Sequence, residues 1–494
     1  MKEYIIAIDQ GTTSTRAMAF SIAGEVLACH QVELKQYFPH SGWVEHDGEE
    51  IWQAVLSTTA ALIAEMKCKG FQPLAIGITN QRETSVLWHK KTGKPLHKAI
   101  VWQDRRTASI CDELKRAGHE KYISSKTGLL LDPYFSGTKI KWMLEHNTEI
   151  KDLAAKGEVA FGTIESYLLF RLTGGEHLSD ATNASRTLLC DIEKAAWDDD
   201  ICQLLDIPLS ILPQIVNNAD QFGTTSRELF GEAIAITGLI GDQQSAAIGQ
   251  GCFRNGSIKS TYGTGCFVLQ NTGDEIIHSK HKLLSTIAYR LGGKNSYAIE
   301  GSIFMAGAAV QWLRDGLGII KHSAETEARA AMVADNGGVY VVPAFTGLGA
   351  PHWDAHARAA IVGLERDSNA NHIIRATLES VAYQTHDLFE AMTNDGAMKP
   401  NLLRVDGGMV NNNWFTQFLA NCLDIEIERP KIVETTALGA AIMAGIGCGI
   451  YSDLAEAEKI WQLDKHFFPT NADADREKLL DGWNKALKRC LLKP

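Results

Sequence analysis

At 494 residues the chain is too long for one hydrophobic core and calls for two or three domains, because single cores rarely exceed about 250–300 residues. Its formal net charge of −11 excludes a broad nucleic-acid surface, and 45% hydrophobic with 22% charged residues is the composition of a globular protein. The ten cysteines are scattered with no CxxC pair, which reads as core thiols in a reducing compartment and predicts a cytoplasmic protein.

The first apolar run, residues 4–9, ends at Asp9, too soon for a signal peptide, and reads as a strand. It meets the turn Gln10-Gly11-Thr12-Thr13-Ser14, after which residues 16–20 and 26–30 predict two more strands. A glycine in such a turn lets successive amides converge on an anion, the hydroxyls of Thr12, Thr13 and Ser14 add donors, and Arg16 adds charge. Asp9 at the strand end suits a Mg²⁺ ion held through its water shell. The same residues also make an ordinary polar hairpin, and no Walker GxxxxGK[ST] sequence is present. Residues 49–67 then predict a helix and 74–79 a buried strand.

In mid-chain, residues 234–240 read as a strand ending at Gly241-Asp242, followed by a helical run over 244–248. Strands at 257–261 and 266–269 flank the turn Tyr262-Gly263-Thr264-Gly265. An aspartate beside a glycine at a strand end is where α/β enzymes place reacting groups, although Asp242 would serve equally as a helix N-cap. Two strand–turn–strand units, one near the start of each half, suggest a duplicated architecture split near residue 250. Later, residues 402–406 deliver Gly407-Gly408 to a helix start, where a flat ring or a phosphate can approach the backbone, unless the asparagines there only cap the helix. Residues 437–450 are apolar but too short and too rich in Gly and Ala for a membrane span, and read as a buried helix.

Tyr134-Phe135-Ser136-Gly137-Thr138-Lys139-Ile140-Lys141-Trp142 resembles the first signature of the FGGY carbohydrate kinases. Ala360-Ile361-Val362-Gly363-Leu364, followed by residues 372–379, resembles the second. Together with the hairpin at Asp9, the strand end at Asp242 and the glycines at 407 and 408, they make the chain similar, from about residue 4 to 451, to the superfamily of actin, Hsp70 chaperones and sugar kinases.

The resemblance implies an α/β fold of two RNase H-like, actin-like ATPase domains facing an active-site cleft. Residues 1–250 would bind the polyol and 251–494 the nucleotide. It further implies use of ATP and Mg²⁺ and a homodimer or homotetramer, while charge and hydropathy predict neither nucleic-acid binding nor membrane insertion.

Asn80-Gln81-Arg82-Glu83-Thr84, Val101-Trp102-Gln103-Asp104 and Gly241-Asp242-Gln243-Gln244 resemble the branch of the family that phosphorylates glycerol to sn-glycerol 3-phosphate, the first step of glycerol catabolism. That likeness implies that Arg82 donates to hydroxyls, that Glu83 and Asp242 accept from them, and that Tyr134 and Gln243 complete the set. Trp102 and Phe267 would wall the carbon side. Asp242 would be the catalytic base and, with Asp9, would hold the metal through water. Thr12, Thr13, Ser14, Arg16 and Thr264 would surround the phosphates, with Gly307, Gln311, Gly408 and Asn412 further out along the nucleotide. On their own, Arg82-Glu83 also reads as a surface ion pair and Trp102 as plain core. A sister kinase of erythritol or dihydroxyacetone would keep most of these residues, whereas a non-kinase nucleotide switch has no need of a hydroxyl-reading pocket.

Two stretches depart from the pattern. Gly48 stands where the family usually has proline. Residues 221–236 contain neither the Gly-Gly-Thr-Arg run that binds fructose 1,6-bisphosphate in enterobacterial relatives nor the histidine phosphorylated in Gram-positive ones. Both controls are therefore expected to be absent or altered.

Overall fold

The computed structural model describes residues 2–354, 356–470 and 473–491. The first sheet is built from β1 (Lys2–Gln10), β2 (Ser14–Ser21), β3 (Val26–Glu33), β4 (Phe71–Asn80) and β5 (Ala235–Gly241), in the order β5-β4-β1-β2-β3. β1, β2 and β3 pair antiparallel, while β4 and β5 run parallel to β1. Helix α1 (Gly48–Cys68) packs on this sheet, its first turn capped by the Asp47 carboxylate and favoured by Glu49 and Glu50 at the positive end of the helix. A Cβ on Gly48 would lie 2.7 Å from Pro95 Cγ, so glycine is what fits at this departure from the family pattern.

Helix α2 (Asp242–Gly249) leads into the second sheet. That sheet comprises β6 (Ile258–Tyr262), β7 (Cys266–Gly273), β8 (Leu284–Leu291), β9 (Lys294–Ile303), β10 (Leu402–Asp406), β11 (Glu426–Pro430) and β12 (Leu463–Phe467). Its order is β8-β9-β7-β6-β10-β11-β12. Within it, β9-β7-β6-β10-β11 repeats the winding of β3-β2-β1-β4-β5: three antiparallel strands, then two parallel to the first. The duplicated architecture suggested by the two strand–turn–strand units is thus present in the topology.

Helices α3 (Ala370–Asn394) and α4 (Asn413–Leu423) supply buried residues to the core of the second sheet. Helix α5 (Thr435–Gly447) does not. It returns to the first sheet, packing Ala437, Ala440, Ala441 and Ala444 against Ile5, Ala7, Ala75 and Ile240. α5 also crosses α2 at very short range. A Cβ on Gly439 would sit 1.9 Å from the Ser245 carbonyl oxygen, and one on Gly249 would sit 2.1 Å from that of Thr435. Among the described residues no helix is long and apolar enough to cross a membrane.

Candidate active site

Three neighbouring strand ends build the floor of the site. β1, β4 and β5 finish at one edge, with Asp9 level with Thr79, and Thr79 level with Ile240. Asp9 and Asp242 therefore flank β4, about 10 Å apart at two strand spacings. The helix N-cap is Gly241, with no side-chain cap bond, so the capping role for Asp242 is not realised; its side chain sits at the first helical position instead. Burial raises the Asp242 carboxyl to about 6, Arg82 lowers it, and the charges of Glu83 and Asp9 add to the rise. Burial likewise raises Asp9 above its ordinary value, against the pull of Arg16.

The turn after β1 has its carbonyls occupied from the protein side. Gly11 O accepts from the Gln10 and Gln81 amides, Thr12 O from Gln36 and Thr13 O from Leu34 N, and Ser14 O from Gly11 N. The backbone N–H groups of Thr12 and Thr13 have no acceptor among the described residues, which leaves two donors for a ligand, as an anion site requires. Arg16 is not free: it pairs with Asp9 at 2.6 Å and with Glu434 just ahead of α5.

Next to this turn lies a buried charge cluster. Arg82 and Glu83 are 2% and 1% exposed, which overturns the reading of the two as a surface ion pair. Arg82 makes a two-pronged ion pair with Glu300, at 2.7 and 2.9 Å, and donates to Gln244 Oε1 at 3.0 Å. Its Nε lies 3.2 Å from Asp242 Oδ1, an oxygen left without an aligned hydrogen-bond donor. Glu83 accepts from Arg186 Nε at 2.7 Å and holds a left-handed backbone at φ 60. That strained conformation is fixed through its carbonyl, which accepts from Ser85, Ser136 and Lys139.

Three rings close one side: Trp102 meets Tyr134 and Phe267 edge to face, at centroid distances of 5.6 and 6.4 Å. The Trp102 indole also donates to Thr12 Oγ1 at 2.9 Å, joining this wall to the turn after β1. Gln243 accepts from the buried Lys259 at 2.7 Å.

On the second sheet, Ala306 and Ala308 donate to Thr264 O, and Gly307 donates to Gly263 O. A Cβ on Gly307 would lie 2.6 Å from Gly263 O, and one on Gly407, at φ 91, would lie 2.4 Å from Tyr262 O. Close backbone approach thus requires these glycines and gathers the Thr264, Gly307 and Gly408 segments. Gly408 differs from its neighbours, because a Cβ there would meet nothing within 4 Å. Gly408→Leu is accordingly expected to leave the thermal midpoint unchanged and, on the nucleotide contact that the resemblance implies for Gly408, to raise the KM for ATP at least about tenfold, a loss of ~1.4 kcal/mol of binding. Melting curves beside ATP titrations check this. Gln311 is exposed on the helix Gly307–Asp315. Asn412 caps α4 through Phe415 N and donates to Thr326, so the capping role is occupied.

Sequence reasoning missed Glu300, Arg186 and Lys259, and it gave Gln244 no role although the segment Gly241-Asp242-Gln243-Gln244 contains it. A charge inside a strand pattern such as Ala298-Ile299-Glu300-Gly301 reads as a solvent-facing position, and only the contact between the two sheets makes it interior.

Two sheets of one winding, joined by crossing helices and meeting at a buried polar cluster, define a sugar-kinase architecture with the actin-like ATPase fold. The chain belongs to the FGGY family of carbohydrate kinases: that family's N-terminal domain matches residues 4–249 and its C-terminal domain residues 258–448. It is 54% identical to glycerol kinase of Ectopseudomonas mendocina over 490 residues, 99% of each chain. It is also 54% identical to glycerol kinase of Rhodospirillum centenum, over 98% of this chain and 97% of that one. The crystal structure of Plasmodium falciparum glycerol kinase with ADP superposes with a TM-score of 0.95 at 38% identity, covering 100% of this chain and 99% of the other.

Proposed function

We propose that the chain is a glycerol kinase, transferring the γ-phosphoryl group of ATP to a primary hydroxyl of glycerol to give sn-glycerol 3-phosphate. Full-length similarity to glycerol kinases supports the activity. The observation that carries the site assignment is Asp242 Oδ1, buried without an aligned donor and 3.2 Å from Arg82 Nε, at the edge it shares with Asp9 and the turn after β1.

In this reading Arg82 donates to a glycerol hydroxyl and Glu83 accepts from one. The rings of Trp102, Tyr134 and Phe267 cover the carbon edge. Asp242 takes the proton of the attacking primary hydroxyl, and the amides and hydroxyls of residues 12–14 hold the transferred phosphoryl group in line. Asp9 and Asp242 suit a Mg²⁺ ion held through water, since Asp242 accepts no aligned hydrogen bond at Oδ1 and Asp9 gives only one oxygen to Arg16. Such an ion neutralises charge on the triphosphate. The pairing of N-terminal polyol site and C-terminal nucleotide site, divided near residue 250, belongs to the same proposal.

ADP release measured over glycerol, dihydroxyacetone, erythritol and 1,2-propanediol, with ATP and Mg²⁺, tests the assignment. A hydroxyl-reading site rejects analogues lacking a hydroxyl by about 10⁴-fold, so glycerol is expected to lead and 1,2-propanediol to react barely. Equal rates for glycerol and 1,2-propanediol, or none for any polyol, would refute it. The base must be ionised, so kcat/KM for glycerol is expected to rise tenfold per pH unit below about 6 and level off above, which an initial-rate pH profile reads directly.

A further inference from the structure

Counting donors and acceptors in the buried cluster shows what remains for a ligand. A guanidinium carries five N–H groups. On Arg82, both hydrogens of Nη1 are taken, by Gln244 Oε1 and Glu300 Oε2, and one of Nη2 is taken by Glu300 Oε1. Nε–H and the second hydrogen of Nη2 have no aligned acceptor among the described residues. Glu83 gives Oε1 to Arg186 and keeps Oε2 without a donor among the described residues.

Glu300 is shared: its Oε1 accepts from both Arg82 and Arg186, so one carboxylate sets both guanidinium planes. Gln244, the other acceptor on Arg82, is itself anchored by donating to Thr286 Oγ1 and Ile287 O on β8. Burial would raise the Glu300 carboxyl, yet Arg186 and Arg82 hold it at about 2, so it stays charged at any working pH. Glu300 stands on β9, in the second sheet, whereas Arg82 and Glu83 follow β4 of the first.

We propose that Glu300 is the positioning residue of the polyol site. Supplied by the second sheet, it locks Arg82 and, through Arg186, Glu83, so that two donors and one acceptor face the substrate. The hydroxyl-reading geometry is therefore set before glycerol arrives and depends on the two sheets being in contact. Without the clamp, Arg82 Nε lies close enough to Asp242 to close an aligned ion pair with it, consuming the donor meant for the substrate. The inference rests on the polyol-kinase reading above.

The test is Glu300→Gln, which keeps the shape and removes the charge. The expected result is a glycerol KM raised at least about 30-fold with the KM for ATP within about threefold. The preference for glycerol over 1,2-propanediol is expected to fall at least about tenfold. A purely structural role would not separate the two KM values. Because two buried arginines are left with one carboxylate fewer, folding is checked with the charge-balanced pair Arg186→Gln/Glu300→Gln. That pair is expected to recover the thermal midpoint but not the glycerol KM. A folded Glu300→Gln enzyme with unchanged glycerol KM would overturn the proposal, as would a double variant that regains glycerol affinity together with stability. An unmutated enzyme that phosphorylates no polyol would instead sink the functional reading itself.

Discussion

Replacing Asp242 with Asn is expected to lower kcat by about 10³-fold, within the range typical of a lost general base, while the KM for glycerol stays within about threefold. The side chain is isosteric, and it sits at the first position of α2 without a capping bond, so the helix loses only the interaction of that charge with its N-terminus. The same change is expected to make the free enzyme more heat-stable. The folded Asp242 carboxyl lies at about 6, above its unfolded value of 3.8, so the native state keeps the proton longer. Ionising it costs stability as the pH rises through that window, and the cost is complete above about 6. The variant should therefore melt higher than the unmodified enzyme at pH 7.5, with the gap about half as large at pH 5 and almost closed near pH 4. Full activity in Asp242→Asn, or a lower melting point at pH 7.5, would contradict the assignment.

The largest loss of stability is expected at the helix crossing. Gly439→Ala places a methyl group 1.9 Å from the Ser245 carbonyl oxygen, and that atom belongs to the backbone of α2, not to a side chain that can rotate away. Neighbouring contacts leave no room to yield: Gly77 on β4 and Gly447 on α5 each face a backbone carbonyl oxygen at 2.1 Å from a would-be Cβ. Overpacking of this kind typically costs about 1–3 kcal/mol, and the rigid obstacle places this case at the upper end. A thermal midpoint lowered by about 3–6 °C is expected. Calorimetry on Gly439→Ala beside Gly408→Leu checks it, since the second glycine faces open space.

Much of the fold was legible because its signals are local. Strands 4–9, 74–79 and 234–240 carry unbroken apolar runs, and they became β1, β4 and β5 with ends shifted by a few residues. The glycines at 11, 263, 407 and 408 marked turns at the ends of the strands that carry the site, and Gly407, at φ 91, is the one of the four whose backbone is left-handed. The family signatures brought Arg82, Glu83, Trp102, Tyr134 and Phe267 forward, and the structure gathers them with Asp242 into one cluster.

By itself the sequence determined the strands, the turns and the family, since each is written in neighbouring residues whose period and backbone freedom do not depend on distant partners. Only the tertiary structure decided which charges are interior. Glu300, Arg186 and Lys259 look like surface residues in their own segments, and Arg16 looks free until Asp9 and Glu434 meet it. Likewise, nothing local says that α5, following β11 of the second sheet, covers the first. Burial and ion pairing are properties of surfaces brought together over 100 to 400 residues of chain, and a buried charge is tolerated only where its partner arrives in the same place.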